Sequence, residues 1–367
     1  MIRHPPNDAT AVDVLVLGGG AAGICAAVAA RRAGAEKVVV LKKAEGATAM
    51  SSGAVDVADG DRALLPTPTR HAFDAGMTLE ESIERLAASH PRHPYARVAG
   101  AARERMSDAL SLLQQAALGL RYHGGAEGRN LVVATQLGTV KRTALTQESS
   151  AFDLSCLPAG GRVLVVELED VAGFDGGPVA AMLRWIDGLG TTAAPHSVEV
   201  VSIPAIAPER TYASPRLFAA ALRHEGHAAF VEHIVTHLQR MIPPGDASVA
   251  LLPPVLGLDE KSAELCALLA TRCGFPVVEL LALPQSAPGA RLSAALERGA
   301  QHERIEVLRG DALGAVIADN RVREVRAVVN GEECLFEPRS VVLATGRFLA
   351  GGLQRTGTAR EPIFDLP

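Results

Sequence analysis

Cysteine is scarce in this chain, and its spacing excludes several kinds of site. The five cysteines form no CxxC pair, no CxxxxC pair and no cluster with histidines at the spacing of a zinc site. A disulfide framework, a zinc site, an iron–sulfur cluster and a redox-active disulfide are therefore not expected within the chain. We expect reduced thiols, as in a cytoplasmic protein, and no metal site.

Long apolar runs and an excess of positive charge are also missing. No stretch approaches the ~18–20 apolar residues that cross a bilayer, and glycines interrupt the first apolar run too early for a signal peptide. The formal net charge is −5, from 36 basic and 41 acidic residues, which argues against nucleic acid as a partner. With 48% hydrophobic and 21% charged residues over 367 positions, the composition predicts a globular protein of about two domains.

The N-terminal region has the pattern of a dinucleotide-binding βαβ unit. Val12–Leu17 predicts a buried parallel strand, the alanine-rich stretch after it a helix, and Lys37–Leu41 a second buried strand. Between the first strand and the helix, GxGxxG places glycines at Gly18, Gly20 and Gly23. The first glycine permits the tight turn, the second lets a pyrophosphate approach the backbone, and the third lets the helix pack close to the strand. The helix N-terminus then offers an anion site.

The end of the second strand lacks the acidic residue that usually binds the ribose hydroxyls. Lys42 and Lys43 stand there instead. Basic side chains at this point suit the 2′-phosphate of NADP, the phosphates of a flavin nucleotide, or water. These alternatives stay open, and Lys42 is included among the candidate cofactor-binding residues.

A hydroxyl-rich segment follows the second strand. Residues 47–57 read ATAMSSGAVDV, so that Thr48, Ser51 and Ser52 precede Gly53. Hydroxyls and exposed amides at such close range suit the pyrophosphate and the flavin-ring edge of a bound FAD. The alternative is an ordinary polar loop.

A second cofactor signature lies near the other end of the chain. Residues 289–300 predict an amphipathic helix and residues 305–307 a short strand. A β-meander follows, with one turn near residues 319–320 and a hairpin turn at Asn330-Gly331. Ser340–Ala344 then predicts another buried strand. This order is used by FAD proteins of the two-dinucleotide-binding type, in which the last strand returns beside the cofactor.

We therefore predict an α/β fold with a Rossmann-like FAD-binding domain that is split in the sequence. It covers residues 1–60 and 288–367, and an inserted α/β domain covers residues 61–287, where helical and strand patterns alternate. Val12–Leu17 and Ser340–Ala344 should be neighbours in one parallel sheet. The candidate cofactor-binding residues are Gly18, Gly19, Gly20, Ala22, Gly23, Lys42, Ser51, Ser52, Gly53, Ala344, Thr345 and Gly346.

Motifs along nearly the whole chain resemble the B-subunit family of anaerobic glycerol-3-phosphate dehydrogenases. The run at residues 341–363, with ATG, GGL and then REPI, is the most specific, because no generic flavin fold requires REPI. The other matches are the glycine turn, SSG at 51–53 with Asp56, HPY at 93–95, LGT at 137–139 with RT at 142–143, LPP at 252–254 with LGL at 256–258, and PG at 288–289 with RL at 291–292.

The resemblance implies a flavoprotein subunit, with FAD or FMN, that works beside a larger flavin-containing A subunit. Together they oxidise sn-glycerol 3-phosphate to dihydroxyacetone phosphate, and electrons pass through a membrane-bound iron–sulfur C subunit to quinone. The resemblance also implies a hetero-oligomer on the cytoplasmic face of the cell membrane, peripheral and held there by its partners. Similar flavoproteins continue with a glycine-rich strand and helix that close over the cofactor. Because the sequence stops at Pro367, we expect that closing segment to be absent.

Oxidation of a secondary alcohol phosphate needs a base and phosphate-binding cations. His93 is the candidate base, and Arg142, Arg291 and Arg360 are the phosphate candidates. The alternative roles are a capped turn for His93 and salt bridges or flavin-phosphate contacts for the arginines. Two other functions remain open: a non-catalytic structural or electron-relay subunit with a flavin-derived fold, and a stand-alone oxidoreductase of the fumarate reductase type.

Overall fold

The computed structural model divides into two compact units. Unit 1 comprises residues 1–50, 109–119 and 292–367, and unit 2 comprises residues 51–108 and 120–291. The structure describes residues 9–57, 77–125, 128–158, 160–186, 197–222, 226–242, 248–346, 351–355, 357, 359–364 and 366. The domain boundaries at residues 60 and 288 stay predictions.

The helices and strands alternate along most of the chain. Up to the middle of unit 2 they are β1 (Thr10–Leu17), α1 (Ala21–Arg32), β2 (Val38–Lys42), α2 (Leu79–Ser89), α3 (Ala102–Ala116), β3 (Tyr122–Gly124), β4 (Leu131–Ala134), β5 (Val140–Thr143), β6 (Leu145–Gln147), β7 (Arg162–Leu168), α4 (Gly176–Arg184) and β8 (Ser197–Ile203). The remainder are α5 (Pro215–Ala221), α6 (His227–Met241), β9 (Val249–Leu252), α7 (Ser262–Cys273), β10 (Val277–Glu279), α8 (Ala287–His302), β11 (Glu306–Ala318), β12 (Arg321–Val329), β13 (Glu332–Leu343), β14 (Gln354–Arg355) and β15 (Ala359–Arg360).

Unit 1 is built on a sheet in which β1 lies between β2 and β13. Both pairings are parallel, with Val14 opposite Val38 on one side and opposite Ser340 on the other. The predicted neighbourhood of the first strand and the late strand is therefore confirmed. Apolar, mostly β-branched residues predominate in β1 and β2, and residues 15–17 of β1 and 38–41 of β2 are buried, as expected for central parallel strands.

The meander of unit 1 has the two turns that the sequence predicts. Asp319 and Asn320 both have positive φ, as do Asn330 and Gly331, which is the backbone of a type I′ hairpin turn. The short strand predicted at residues 305–307 is wrong in length, because β11 continues to Ala318. Its first part pairs parallel with β2 and the rest antiparallel with β12, so one strand serves two partners.

Unit 2 is built on a parallel sheet in the order β10-β9-β7-β8. Its strands and helices α4, α6 and α7 share one apolar core. Helix α2 begins with a capping box between Thr78 and Glu81. Two small antiparallel ladders, β3 with β6 and β4 with β5, have no counterpart among the sequence predictions.

Two further features bear on the sequence predictions. The five cysteines are free thiols, as expected, and burial raises the pKa of Cys266 to about 12. Among the residues that the structure describes, no helix combines the length and the apolar character that a membrane crossing requires.

Candidate functional site

The glycine turn of unit 1 lies between the end of β1 and the start of α1. Gly18 has a φ of +116°, and its amide donates to Leu41 O at 2.8 Å. A Cβ atom on Gly18 would overlap the carbonyl oxygen of Ala344, and a Cβ atom on Gly23 would overlap that of Gly18. Only glycine permits both close approaches, so the first and third glycines are required by the packing of the turn itself.

Gly20 is in a different situation from the other two glycines. It is the residue before α1, it has no side-chain capping bond, and a Cβ atom there would meet only the Thr48 hydroxyl, at 3.1 Å. The same hydroxyl accepts a hydrogen bond from Ala21 N at 3.1 Å. The first turn of a helix carries amides without intrahelical partners and the positive end of the dipole. The turn therefore fits a pyrophosphate, because Gly20 adds no side chain of its own and the neighbouring side-chain group is the Thr48 hydroxyl.

The residues that follow β13 lie beside this turn. Ala344 N donates to Leu17 O at 2.8 Å, and Gly346 has a φ of +80°. The structure thus brings Ala344 next to Gly18 within unit 1, as the two cofactor signatures predict. Thr345 lies between Ala344 and Gly346 in the chain.

Lys42 ends β2 and lies against Gly19, where a Cβ atom would be 2.6 Å from the Lys42 Cβ. Its ammonium is paired with Glu297 and, at 3.4 Å, with Glu45. Burial alone would lower the pKa of Lys42, but the two carboxylates raise it above its ordinary value. Acidic groups are therefore present at the end of β2 after all, and they reach it from α8 and from the loop after the strand.

The segment Ser51–Val55 belongs to unit 2 and is held there by several hydrogen bonds. Gly53 has a φ of +76°, and a Cβ atom on it would lie 2.5 Å from Gln147 Nε2 and 2.9 Å from Pro288 Cβ. The Ser51 hydroxyl accepts from Gly53 N at 3.2 Å, and the Ser52 hydroxyl from Ala54 N at 3.4 Å. The segment is thus a tight turn closed over by side chains.

Arg291, a phosphate candidate, is buried in unit 2 with its guanidinium bound by protein groups. It makes a bidentate ion pair with Glu279, at 2.6 and 2.9 Å, and its Nε donates to Gly257 O at 2.8 Å. Glu279 also accepts from Leu256 N at 2.8 Å and from the Ser149 hydroxyl at 2.7 Å. With both side chains fully buried, this arrangement is an internal ion-pair network that joins four segments of unit 2.

The other three catalytic candidates lie in separate elements. His93 caps a short 3₁₀ turn, and its Nδ1 accepts from Tyr95 N at 3.2 Å. Arg142 is half-buried on β5, opposite Val132, and Arg360 is exposed on β15 in unit 1. Sequence reasoning did not find four residues that surround the segments described above: Tyr122, Gln147, Glu279 and Ser286. Only Ser286 carries a sequence signal, since a serine two residues before Pro288 marks a helix start.

Comparison with known proteins agrees with this geometry. Residues 13–362 match the family model described as FAD binding domain. The fold and the glycine turn thus define an α/β flavoprotein of the FAD-binding class, with FAD as its cofactor.

Curated relatives narrow the class to one family. The chain is 30% identical to the B subunit of the anaerobic glycerol-3-phosphate dehydrogenase of Yersinia pestis, over 96% of this chain and 79% of that protein. It is also 30% identical to a probable B subunit of the corresponding enzyme of Halobacterium salinarum, over 96% and 78%. The chain belongs to the B-subunit family of anaerobic glycerol-3-phosphate dehydrogenases. Among solved structures it is similar to a 3-ketosteroid Δ1-dehydrogenase of Sterolibacterium denitrificans, at 15% identity and a TM-score of 0.39, over 92% of this chain and 48% of that one.

Proposed function

We propose that this chain is a FAD-holding subunit of an anaerobic glycerol-3-phosphate dehydrogenase. The observation that carries the proposal is the match to B-subunit relatives over 96% of the chain, together with a glycine turn that fits a pyrophosphate. In the complex, sn-glycerol 3-phosphate is oxidised to dihydroxyacetone phosphate with the help of an A subunit. Electrons leave through an iron–sulfur C subunit to quinone, and the chain is peripheral to the cytoplasmic face of the membrane.

Within this proposal, unit 1 binds the phosphates of FAD. The amides at the start of α1 would donate to the phosphate oxygens, and Gly20 leaves room for them, while Gly18, Gly19, Ala22 and Gly23 shape the turn. Ala344, Thr345 and Gly346 flank it. Lys42, paired with Glu297 and Glu45, brings two carboxylates to the strand end, which suits ribose hydroxyls better than a 2′-phosphate.

The segment at Ser51, Ser52 and Gly53 is assigned to the flavin-ring edge. Its serine hydroxyls and tight turn supply polar atoms at short range. When bound, FAD supplies the acceptor for the hydride that leaves the alcohol carbon. The protein's own residues hold and orient the cofactor.

His93 as the base requires a change in its hydrogen bonding. Because Nδ1 accepts from Tyr95 N, the neutral imidazole carries its proton on Nε2. Neither nitrogen then has a free lone pair for the substrate hydroxyl proton unless the bond to Tyr95 N breaks. This geometry, with the buried position of Arg291, favours a second candidate function in which the substrate site lies in the A subunit. Arg142 and Arg360 stay phosphate candidates of this chain.

The cofactor site is tested with Gly20→Val. A valine side chain would occupy the approach of the pyrophosphate, while the surrounding contact is only the Thr48 hydroxyl. We expect loss of the visible flavin absorbance with the far-UV circular dichroism retained. Gly100→Val, at a glycine with no neighbour within 4 Å, is the control and should keep its flavin. Unchanged flavin content in Gly20→Val would refute the site.

The substrate assignment is tested by single-turnover bleaching of the flavin with glycerol 3-phosphate. Glycerol 3-phosphate is added first to the chain by itself and then to the chain combined with its A subunit. Bleaching by the chain alone would place the substrate site here, whereas bleaching only with the partner would favour the second candidate function. No bleaching in either mixture would contradict the proposed dehydrogenase role.

A further inference from the structure

Every second carbonyl of the segment Ser51–Val55 is bound by a side chain from elsewhere in unit 2. Ser51 O accepts from the Ser286 hydroxyl, and Gly53 O accepts from the Tyr122 hydroxyl at 2.9 Å. Val55 O accepts from the Thr143 hydroxyl at 2.8 Å. These donors come from three separate places: the start of α8, strand β3 and strand β5. We call them the carbonyl clamp.

Val55 at the end of the segment pairs with Leu145 through its backbone, with Val55 N donating to Leu145 O at 2.8 Å, but residues 51–54 have weaker local support. The segment contains two serines and a glycine with positive φ, and glycine visits many backbone conformations in the absence of other contacts. Its own hydrogen bonds, from Gly53 N and Ala54 N to the two serine hydroxyls, are long, at 3.2 and 3.4 Å. The conformation of residues 51–53 therefore depends on the clamp hydroxyls of Ser286 and Tyr122.

The clamp residue Ser286 is itself rigidly placed. Its hydroxyl accepts from Gly289 N at 2.7 Å, so it caps α8 while donating to Ser51 O. The next turn of α8 carries Arg291, which is anchored to Glu279 and Gly257 O. Gln147 Nε2 also donates to Pro288 O, at 2.6 Å. The start of α8 is thus a fixed support for the segment.

We propose that Ser286 and Tyr122 are positioning residues that hold Ser51–Val55 in the conformation that receives the flavin ring. The inference rests on the proposed function, which assigns this segment to the ring edge. Neither residue is assigned a contact with FAD or with substrate; each acts through a backbone carbonyl of the segment. They determine the geometry of the flavin environment rather than take part in the reaction.

The test uses the full chain in two states, free of cofactor and loaded with FAD. Ser286→Ala and Tyr122→Phe each remove one clamp hydroxyl and keep the rest of the side chain. Ser214→Ala is the matched control for Ser286, because Ser214 caps α5 by accepting from Leu217 N. Tyr212→Phe removes a phenolic hydroxyl elsewhere in unit 2. Ser286→Thr restores the hydroxyl and should rescue.

The rate of amide hydrogen exchange at residues 49–57 of the cofactor-free chain measures how firmly the carbonyl clamp holds the segment. We expect about fivefold faster exchange in Ser286→Ala and Tyr122→Phe, the fold-change of roughly one net hydrogen bond. The FAD dissociation constant should rise by about the same factor, and the visible circular dichroism of bound FAD should change. The two controls should leave all three quantities as in the wild type, whatever their stability.

The outcomes separate this inference from the proposed function. Unchanged exchange, or faster exchange with unchanged FAD affinity and circular dichroism, overturns the positioning role while the proposed function stands. A wild-type chain that binds no FAD, and from which Gly20→Val does not differ, overturns the proposed function. The positioning role is then overturned as well, because the wild-type chain binds no FAD, and the results for the clamp variants do not enter into that conclusion.

Discussion

The glycine turn of unit 1 and the serine segment of unit 2 are both short and glycine-containing, yet they are held in opposite ways. The turn is fixed by backbone groups: Gly18 N donates to Leu41 O, Ala344 N to Leu17 O, and Ile24 N to Gly20 O at 3.0 Å. Residues 51–53 of the segment are held by side chains of the carbonyl clamp, while Val55 also pairs with Leu145 through its backbone. The donors of that clamp lie 235, 69 and 88 residues away in the sequence.

This difference decides which substitutions each region tolerates. A turn held by the backbone is sensitive to a side chain added at Gly18 or Gly23, where it would overlap a carbonyl oxygen, and is indifferent to most substitutions at distant positions. A segment held by side chains depends on residues far along the chain and on whatever keeps those residues in place. Substitutions that remove one supporting contact at a time therefore test whether the two regions are held in these different ways.

The largest effect is expected at the buried ion pair that supports the start of α8. Arg291→Met leaves the Glu279 carboxylate buried without its counter-ion, which typically costs about 3–5 kcal/mol of unfolding free energy. Urea unfolding measures the loss. Arg272→Met breaks an exposed pair with Glu232, also 2.6 Å long, and should cost far less because water screens it. Equal losses of stability in the two variants would contradict the structural role of the buried pair. A normal stability with weaker substrate binding in Arg291→Met would support Arg291 as a phosphate-binding residue.

An intermediate effect is expected at the third glycine of the turn. Gly23→Ala places a methyl group on the carbonyl oxygen of Gly18, and overpacking of this kind costs about 1–3 kcal/mol or more. Gly20→Ala meets only a side-chain hydroxyl and should unfold closer to the wild type. Thermal unfolding of the cofactor-free chain compares them. If Gly20→Ala proved the less stable of the two, the turn would not be held by the packing described for it.

The features that could be predicted from the sequence are mostly those held by backbone groups, and the features held by distant side chains could not be predicted. The first two strands of unit 1, the glycine turn and the hairpin at Asn330-Gly331 follow from local patterns. The pairing of β1 with β13 was predicted from the order of the two cofactor signatures, and the length of β11 was not predicted. Glycine spacing reports backbone geometry, and buried parallel strands have a continuous apolar pattern. The local features could be read from a few neighbouring residues, whatever the rest of the chain does.

The supports of the serine segment could not be read in this way. Tyr122 lies on a three-residue strand, and Glu279 ends another, so neither has a periodic pattern around it. Arg291 was predicted to bind phosphate because its charge is visible in the sequence while its burial is not. A buried ion pair between residues 12 positions apart is set by the tertiary fold. The partner of Lys42 on α8 was hidden for the same reason.

The smallest effect is expected at Asp13, a side-chain support inside the backbone-held unit. Its carboxylate accepts from Lys37 N and Glu36 N, both at 2.9 Å, and from Arg339 at 3.3 Å. The backbone bond from Lys37, then that from Glu36, lowers the pKa of Asp13, and Arg339 adds to them. A carboxyl with a lowered folded-state pKa stabilises above its unfolded value of about 3.9, and that stabilisation is lost as the pH falls through the folded value.

Asp13→Asn should therefore unfold at lower urea than the wild type at pH 7, and the gap should narrow as the pH falls below about 4. Urea midpoints at a series of pH values measure it. Arg339→Met is the comparison, because it removes the longest of the three contacts and leaves both amide bonds to Asp13 in place. It should reproduce only a small part of the effect at pH 7. If Arg339→Met matched Asp13→Asn across the series, the exposed ion pair and not the backbone amides would hold the carboxylate. Unit 1 would then depend on side chains in the way unit 2 does.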